Sequence, residues 1–75
     1  MKVVIYGKEH CPFCERAKMV CEQRGFDYEY YQMGKDFQLD LMLTKFPHAK
    51  TFPQIIVDGT HVGGYTDMME LLDGE

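Results

Sequence analysis

Cys11 and Cys14, two residues apart in the stretch KEHCPFCERAK, are the side chains of this sequence best equipped for chemistry. A Cys-x-x-Cys pair can clamp a metal, staple a fold or pass electrons between thiol and disulfide. A closed zinc site needs four ligands, and the other candidates are Cys21, His10, His48 and His61. Cys21 stands seven residues beyond Cys14 on the same expected helix, about 10 Å of rise, too far to share one tetrahedral ion. The sequence holds no second ligand pair at metal-binding spacing, so no metal is expected. A structural disulfide closing so short a loop would constrain the unfolded chain little. The redox reading needs a thiol that ionises at neutral pH, and the position of Cys11 supplies one. It stands just before a helix that begins at Pro12, where unpaired backbone N–H groups and the positive dipole end favour an anion. Cysteines so placed have pKa values of about 3.5 to 7.5 against about 8.5 when free, so Cys11 is expected to be largely thiolate at neutral pH. Lys8 adds positive charge nearby. Cys14, one turn further on and turned back toward Cys11, is expected to be less exposed. Cys11 is thus the candidate nucleophile toward a disulfide sulfur, and Cys14 the thiol that resolves the mixed disulfide.

The elements that must hold this pair follow from the hydrophobic pattern. Val3 to Tyr6 is a continuous apolar run ending at Gly7, which predicts a strand buried on both faces. From Pro12 the period changes to that of a helix, with Phe13, Ala17, Val20 and Cys21 on one face and Gly25 as the stop. Phe26, Tyr28 and Tyr30 alternate with Asp27, Glu29 and Tyr31, a second strand, and strand–helix–strand implies a parallel crossover. Leu39, Met42, Leu43 and Phe46 predict a helix from Asp36 that Pro47 ends. Asp58-Gly59 joins Gln54–Val57 to Thr60–Val62 as an antiparallel hairpin. A last short helix is expected to be capped by Thr66 or Asp67, with Glu70 at capping-box spacing from Asp67. The order is βαβαββα.

The bulk properties bound the function. Seventy-five residues suffice for a single domain, 1–75, with one core. A formal charge of -4 argues against a nucleic-acid surface, which depends on clustered Lys and Arg. The first apolar run is too short for a signal peptide or a membrane span. An odd number of cysteines, three, fits a reducing compartment, and a cytoplasmic location is expected.

Three motifs at mutually consistent spacing resemble those of a glutaredoxin: CPFC after the first strand, TFP at 51–53 before the third, and GGYTD at 63–67 opening the last helix. The resemblance spans nearly the whole chain. It implies a thioredoxin-like fold, α/β, with a four-stranded mixed sheet flanked by three helices. It also implies glutathione-dependent thiol–disulfide exchange, with glutathione as co-substrate and no bound cofactor. By the same resemblance Pro53 is a cis-proline, and the backbone of Phe52 pairs with the cysteinyl unit of glutathione. Gly64, Tyr65, Thr66 and Asp67 hold the γ-glutamyl end, backbone N–H groups taking its carboxylate and Asp67 its ammonium. Lys8 pairs with the glycyl carboxylate, and Phe13 and Thr51 line the groove. Without the resemblance, Pro53 reads as a trans proline opening a strand, Asp67 as a helix cap and Lys8 as a solvated lysine.

Some positions depart from the family. Phe13 stands where Tyr is usual and lacks its hydroxyl; Phe52 replaces an aliphatic residue beside the substrate strand. Cys21 replaces a large aliphatic and reads as a small core hydrophobe. His10 abuts the nucleophile, and its bland reading is an exposed histidine without a role. The tyrosines at 28, 30 and 31 read as sheet packing, and the methionines as gap-filling core or a tolerant docking surface. The expected partners are glutathione and disulfide-containing client proteins, with no membrane and no nucleic acid, acting on a monomer. One alternative is a dedicated protein disulfide reductant, for example for ribonucleotide reductase, recharged by glutathione or by a thioredoxin reductase. The absence of Trp and of WCGPC speaks against a thioredoxin. The other alternative, an iron–sulfur cluster bridged through Cys11 and glutathione, is disfavoured by Pro12 and by a competing Cys14.

Overall fold

The computed structural model describes residues 1–74. Its elements run β1 (Lys2–Gly7), α1 (Pro12–Arg24), β2 (Asp27–Gln32), α2 (Leu39–Lys45), β3 (Gln54–Val57), β4 (Thr60–Gly63) and α3 (Tyr65–Asp73), the βαβαββα order expected from the sequence. The sheet order is β2-β1-β3-β4, with β1 and β2 parallel and the other neighbours antiparallel. Register aligns Val3 with Tyr28 and Val57, and Ile5 with Tyr30 and Ile55, so all six side chains share one face. On that face α1 and α3 add Ala17, Cys21, Met68 and Leu72 to form the main core. The opposite face carries Tyr6, Tyr31 and Ile56 against Phe37, Met42 and Phe46, a smaller second core under α2. The result is α1 and α3, then the sheet, then α2.

Expectations for four elements are corrected. β1 is fully buried only on the Val3–Ile5 face; the other face is half-covered, because α2 is too short to roof it. In α1 the buried stripe is Cys14, Ala17 and Cys21, and Phe13 is 49% exposed. The small side chains take the inner face, and Phe13, one residue off that stripe, turns about 100° outward. Helix α2 begins at Leu39 rather than Asp36, since Asp36 serves a turn: its carboxylate accepts the Gln32 N–H at 2.8 Å and its own N–H donates to Gln32 C=O at 2.7 Å. Only Met42 of α2 is buried, Leu39 and Leu43 being exposed, while Phe37 and Phe46 on either side of the helix complete the second core. Finally, α3 is capped by Gly64, with Asp67 at the third helical position; its carboxylate accepts the Gly64 N–H at 2.9 Å, and neither Thr66 nor Glu70 takes part.

Local signals account for the ends that match. Gly25 at φ 71° closes α1 in a Schellman motif, with Phe26 N–H donating to Cys21 C=O at 2.9 Å and Gly25 N–H to Glu22 C=O at 3.3 Å. Asp58 (φ 48°) and Gly59 (φ 85°) make the tight hairpin turn that an Asp-Gly pair favours.

Candidate active site

The C-terminal end of β1 feeds the loop to Cys11, and antiparallel pairing of Tyr6 with Gln54 brings the start of β3 to the same end of the sheet. The Thr51–Pro53 segment therefore lies where β1 delivers the cysteines. β4 returns there too, since Ile55 pairs with Gly63 across a bulge between Ile55 and Ile56. Bulges of this kind re-aim a strand end. Chain direction thus gathers all three motifs at one edge of the sheet.

His10 adopts a left-handed conformation, φ 55°, which turns the chain from the Lys8 loop into α1. Cys11 is then the N-cap. Its C=O accepts the Glu15 N–H at 3.2 Å, and its Sγ accepts the Cys14 N–H at 3.2 Å. A sulfur thus occupies the place where a Ser or Asp oxygen ordinarily caps a helix. Pro12, at the first helical position, has no N–H to leave unpaired. Cys11 and Cys14 are joined by a disulfide with Cα atoms 5.2 Å apart, so the structure describes the oxidised state. Cys11 retains 8% exposure and Cys14 none, the order expected from their places at and inside the helix. Cys21 is free and buried among apolar side chains, and that burial, with the Glu22 carboxylate adding to it, pushes its thiol pKa up.

Beside the dithiol runs a groove of about 290 Å³ lined by Phe13, Thr51, Phe52, Pro53, Gly64, Tyr65, Thr66 and Asp67. All eight are among the groove residues that the family resemblance implies. The Phe52-Pro53 bond is cis, and among the described residues neither the N–H nor the C=O of Phe52 has a hydrogen-bond partner. One extended segment of a ligand could pair there as a strand does. Phe13 and Tyr65 meet at 5.7 Å between ring centroids and form one wall. The first intrahelical bond of α3 is Met68 N–H to Gly64 C=O, which leaves the Tyr65, Thr66 and Asp67 N–H groups directed outward at the positive end of the helix. Lys8 does not line the groove itself; it lies over the Phe52 ring, its Nζ 5.3 Å from the centroid, beside the groove wall that Phe52 forms.

Two residues to which the sequence assigns no role, Gly63 inside the GGYTD motif and Gln54 outside all three, also shape the site. Gly63 sits at φ 119°, and a Cβ there would run into the Asp67 carboxylate, so no other residue fits without moving that group. Gln54 is the one buried polar side chain among the described residues, 5% exposed. Its amide Nε2 donates to the Thr51 C=O at 2.8 Å and its Oε1 meets His61 Nε2 at 2.7 Å. Because the amide nitrogen is committed to a carbonyl, the oxygen faces His61, and Nε2 of that ring carries the proton. Gln54 thereby ties the Thr51–Pro53 loop to β4. In the sequence it resembled an ordinary polar residue at the head of a strand, and only its burial exposes the role.

A βαβαββα sheet that brings a helix-capping dithiol beside a cis-proline loop defines a thioredoxin-like thiol–disulfide oxidoreductase. The Glutaredoxin family model matches residues 3–62. Glutaredoxin 1 of Escherichia coli K12 is 38% identical over 74 residues, covering 89% of this chain and 87% of the relative. A glutaredoxin of Pseudomonas aeruginosa is 36% identical over 69 residues, covering 92% and 82%. Among solved structures, glutaredoxin 1 of Francisella tularensis complexed with cacodylate superposes with a TM-score of 0.82 at 26% identity, covering 97% of this chain and 93% of that one. Reduced E. coli glutaredoxin gives 0.77 at 34% identity, covering 100% and 96%. The chain belongs to the glutaredoxin family.

Proposed function

We propose that the chain reduces glutathione mixed disulfides and protein disulfides at the expense of glutathione, with Cys11 as nucleophile and Cys14 as resolving thiol. The observation that carries this reading is the Cys11 sulfur at the N-cap of α1, held by the Cys14 N–H beside a groove of tripeptide size. In the reduced protein the Cys11 thiolate gains the stabilisation that the helix start offers any anion, without the need for a buried base.

Toward a glutathionylated protein, the Cys11 thiolate attacks the glutathione sulfur. A Cys11–glutathione disulfide forms, the client–glutathione disulfide breaks, and the client leaves as a thiolate that takes a proton from solvent. A second glutathione thiolate then attacks the glutathione sulfur on Cys11, returning the Cys11 thiolate and releasing oxidised glutathione. Toward a protein disulfide, Cys11 forms the mixed disulfide with the client. Cys14, once deprotonated, attacks the Cys11 sulfur, expels the client's second thiolate and leaves the Cys11–Cys14 disulfide, which two glutathione molecules re-reduce. During these steps the Phe52 backbone would pair with the cysteinyl unit. The free N–H groups of Tyr65 and Thr66 would take the γ-glutamyl carboxylate, Asp67 its ammonium, and Lys8 the glycyl carboxylate. Gly64 allows the close approach, and Phe13, Thr51 and Pro53 exclude water from the exchanging sulfurs.

Protein clients, ribonucleotide reductase being one expectation, the cytoplasm as the place of action, a monomeric state and the lack of a bound cofactor belong to the same reading. No helix among the described residues is long and apolar enough to cross a membrane. The test is glutathione-dependent turnover of a glutathionylated substrate by wild type, Cys11→Ser and Cys14→Ser. Cys11→Ser should be inactive and Cys14→Ser should keep most of its turnover. Equal loss in both would restrict the chain to dithiol reduction of protein disulfides, and activity in Cys11→Ser would refute the assignment.

A further inference from the structure

The eight Lys and Arg side chains are unevenly distributed. Lys2, Lys18 and Arg24, none of which lines the groove, pair with Asp27 and Glu29, with Glu15 and with Asp73. The remaining five have no carboxylate partner among the described residues, and four of these border the site. Lys8 lies over Phe52, Arg16 over Phe13, and Lys45 and Lys50 line a second hollow of about 390 Å³. That hollow joins the groove, because Thr51, Gly64 and Asp67 line both. Its other functional walls are His48 and His61, and Phe46, whose ring stacks on His61 at 4.4 Å. Asp67 is its one acidic lining residue, and that carboxylate already accepts the Gly64 N–H. A chain of net charge -4 thus concentrates its unpaired cations where a substrate enters.

We propose that this hollow receives side-chain carboxylates of a polypeptide client, on residues flanking its reactive cysteine, so that the chain favours disulfides in acidic segments. The inference rests on the exchange chemistry proposed above and adds a client class to it. The tripeptide groove addresses both glutathione carboxylates, at Lys8 and at the start of α3, where Gly64 and Asp67 border both spaces. The part of the hollow beyond them, beside Lys45 and Lys50, is left for atoms that only a longer ligand has. Unpaired lysines at a rim attract and orient such a ligand chiefly through its rate of association, an effect that salt suppresses.

The test uses two peptides, each with one disulfide to glutathione, alike except that Asp or Asn occupies the two positions on each side of the cysteine. Pre-reduced protein is mixed with each in a single turnover without free glutathione, in wild type and in Lys45→Gln/Lys50→Gln. Both lysines are exposed, so the double variant should fold. The wild type should react with the Asp peptide about fivefold faster at low salt, an advantage that fades as salt is raised. The double variant should react with both peptides alike, and should reduce the small disulfide of hydroxyethanethiol and glutathione, whose leaving thiol brings no acidic side chain, at the wild-type rate. Equal rates on the two peptides in wild type, or an Asp preference that survives in the double variant, would overturn the proposal. Lack of glutathione-supported turnover of the hydroxyethyl substrate would count against the glutathione reading instead, and the single-turnover comparison would still decide the charge preference.

Discussion

Replacing Gln54 with Leu keeps the side-chain volume roughly constant and removes both hydrogen bonds that anchor the Thr51–Pro53 loop to β4. The Gln54 amide donates to Thr51 C=O and its oxygen meets His61 Nε2, at 2.8 and 2.7 Å. Each such bond contributes about 1 kcal/mol net, and leaving the Thr51 carbonyl, in a part-buried bond, without its donor adds about 1 kcal/mol, the low end of the cost for buried groups. Leu at this 5% exposed position regains part of that through apolar burial. A net loss of about 2 kcal/mol is expected, which for a domain of this size lowers Tm by about 10 °C. The functional effect is the more telling. With the loop untied, the Phe52 backbone is no longer held for strand-like pairing, so KM for glutathionylated substrate should rise several-fold while alkylation of reduced Cys11 proceeds at its usual rate. Gln54→Glu separates the two bonds, since it keeps an acceptor toward His61 but sets a carboxyl oxygen against the Thr51 C=O. It should therefore share the KM defect. Calorimetry and steady-state kinetics on the three proteins decide the matter. A Leu variant that melts within about 1 °C of wild type with unchanged KM would refute the claim that Gln54 positions the loop.

Gly63→Ala should destabilise the fold by about 1–3 kcal/mol and weaken substrate binding, because φ 119° disfavours a side chain and the new Cβ displaces the Asp67 carboxylate from the Gly64 N–H; thermal melts and KM check both effects. Native Cys21 should resist alkylation at neutral pH and react only after unfolding, as mass spectrometry of iodoacetamide-treated protein would report. Because burial raises its pKa, the stability that its neutral thiol contributes should be complete below the unfolded-state value and lost as pH rises through the folded-state value, while Cys21→Ala should remove that alkaline component.

What the sequence made legible was whatever depends on local backbone chemistry. Pro12 and Gly25 bound α1 because a ring without an N–H suits a helix start and a left-handed residue suits its end. Asp58-Gly59 fixed the hairpin for similar reasons. What escaped depends on tertiary partners. The inward turn of Cys14 rather than Phe13 is decided by close approach of small side chains to the sheet, which periodicity alone does not resolve. The Leu39, Met42, Leu43 and Phe46 pattern reads as one buried helix face, yet of these only Met42 and Phe46 are buried, and Phe37 ahead of the helix completes the second core. The cap of α3 fell to Gly64 because the bulge and Gly63 bring the chain in there, leaving Asp67 inside the first turn. The groove residues were reached through three motifs whose resemblance to a known family carried information that composition and period did not. Gln54, outside those motifs, was visible only once its burial was known.

The central claim is that the helix start, rather than a neighbouring base, keeps the Cys11 sulfur ionised. The most direct measurement is the pH dependence of iodoacetamide reaction with reduced Cys14→Ser, followed at Cys11 by mass spectrometry. A midpoint well below that of a free cysteine, about 8.5, with reaction still rapid at neutral pH, is the predicted result. A midpoint at or above the free value would contradict it, and would leave the N-cap sulfur without the reactivity the exchange requires.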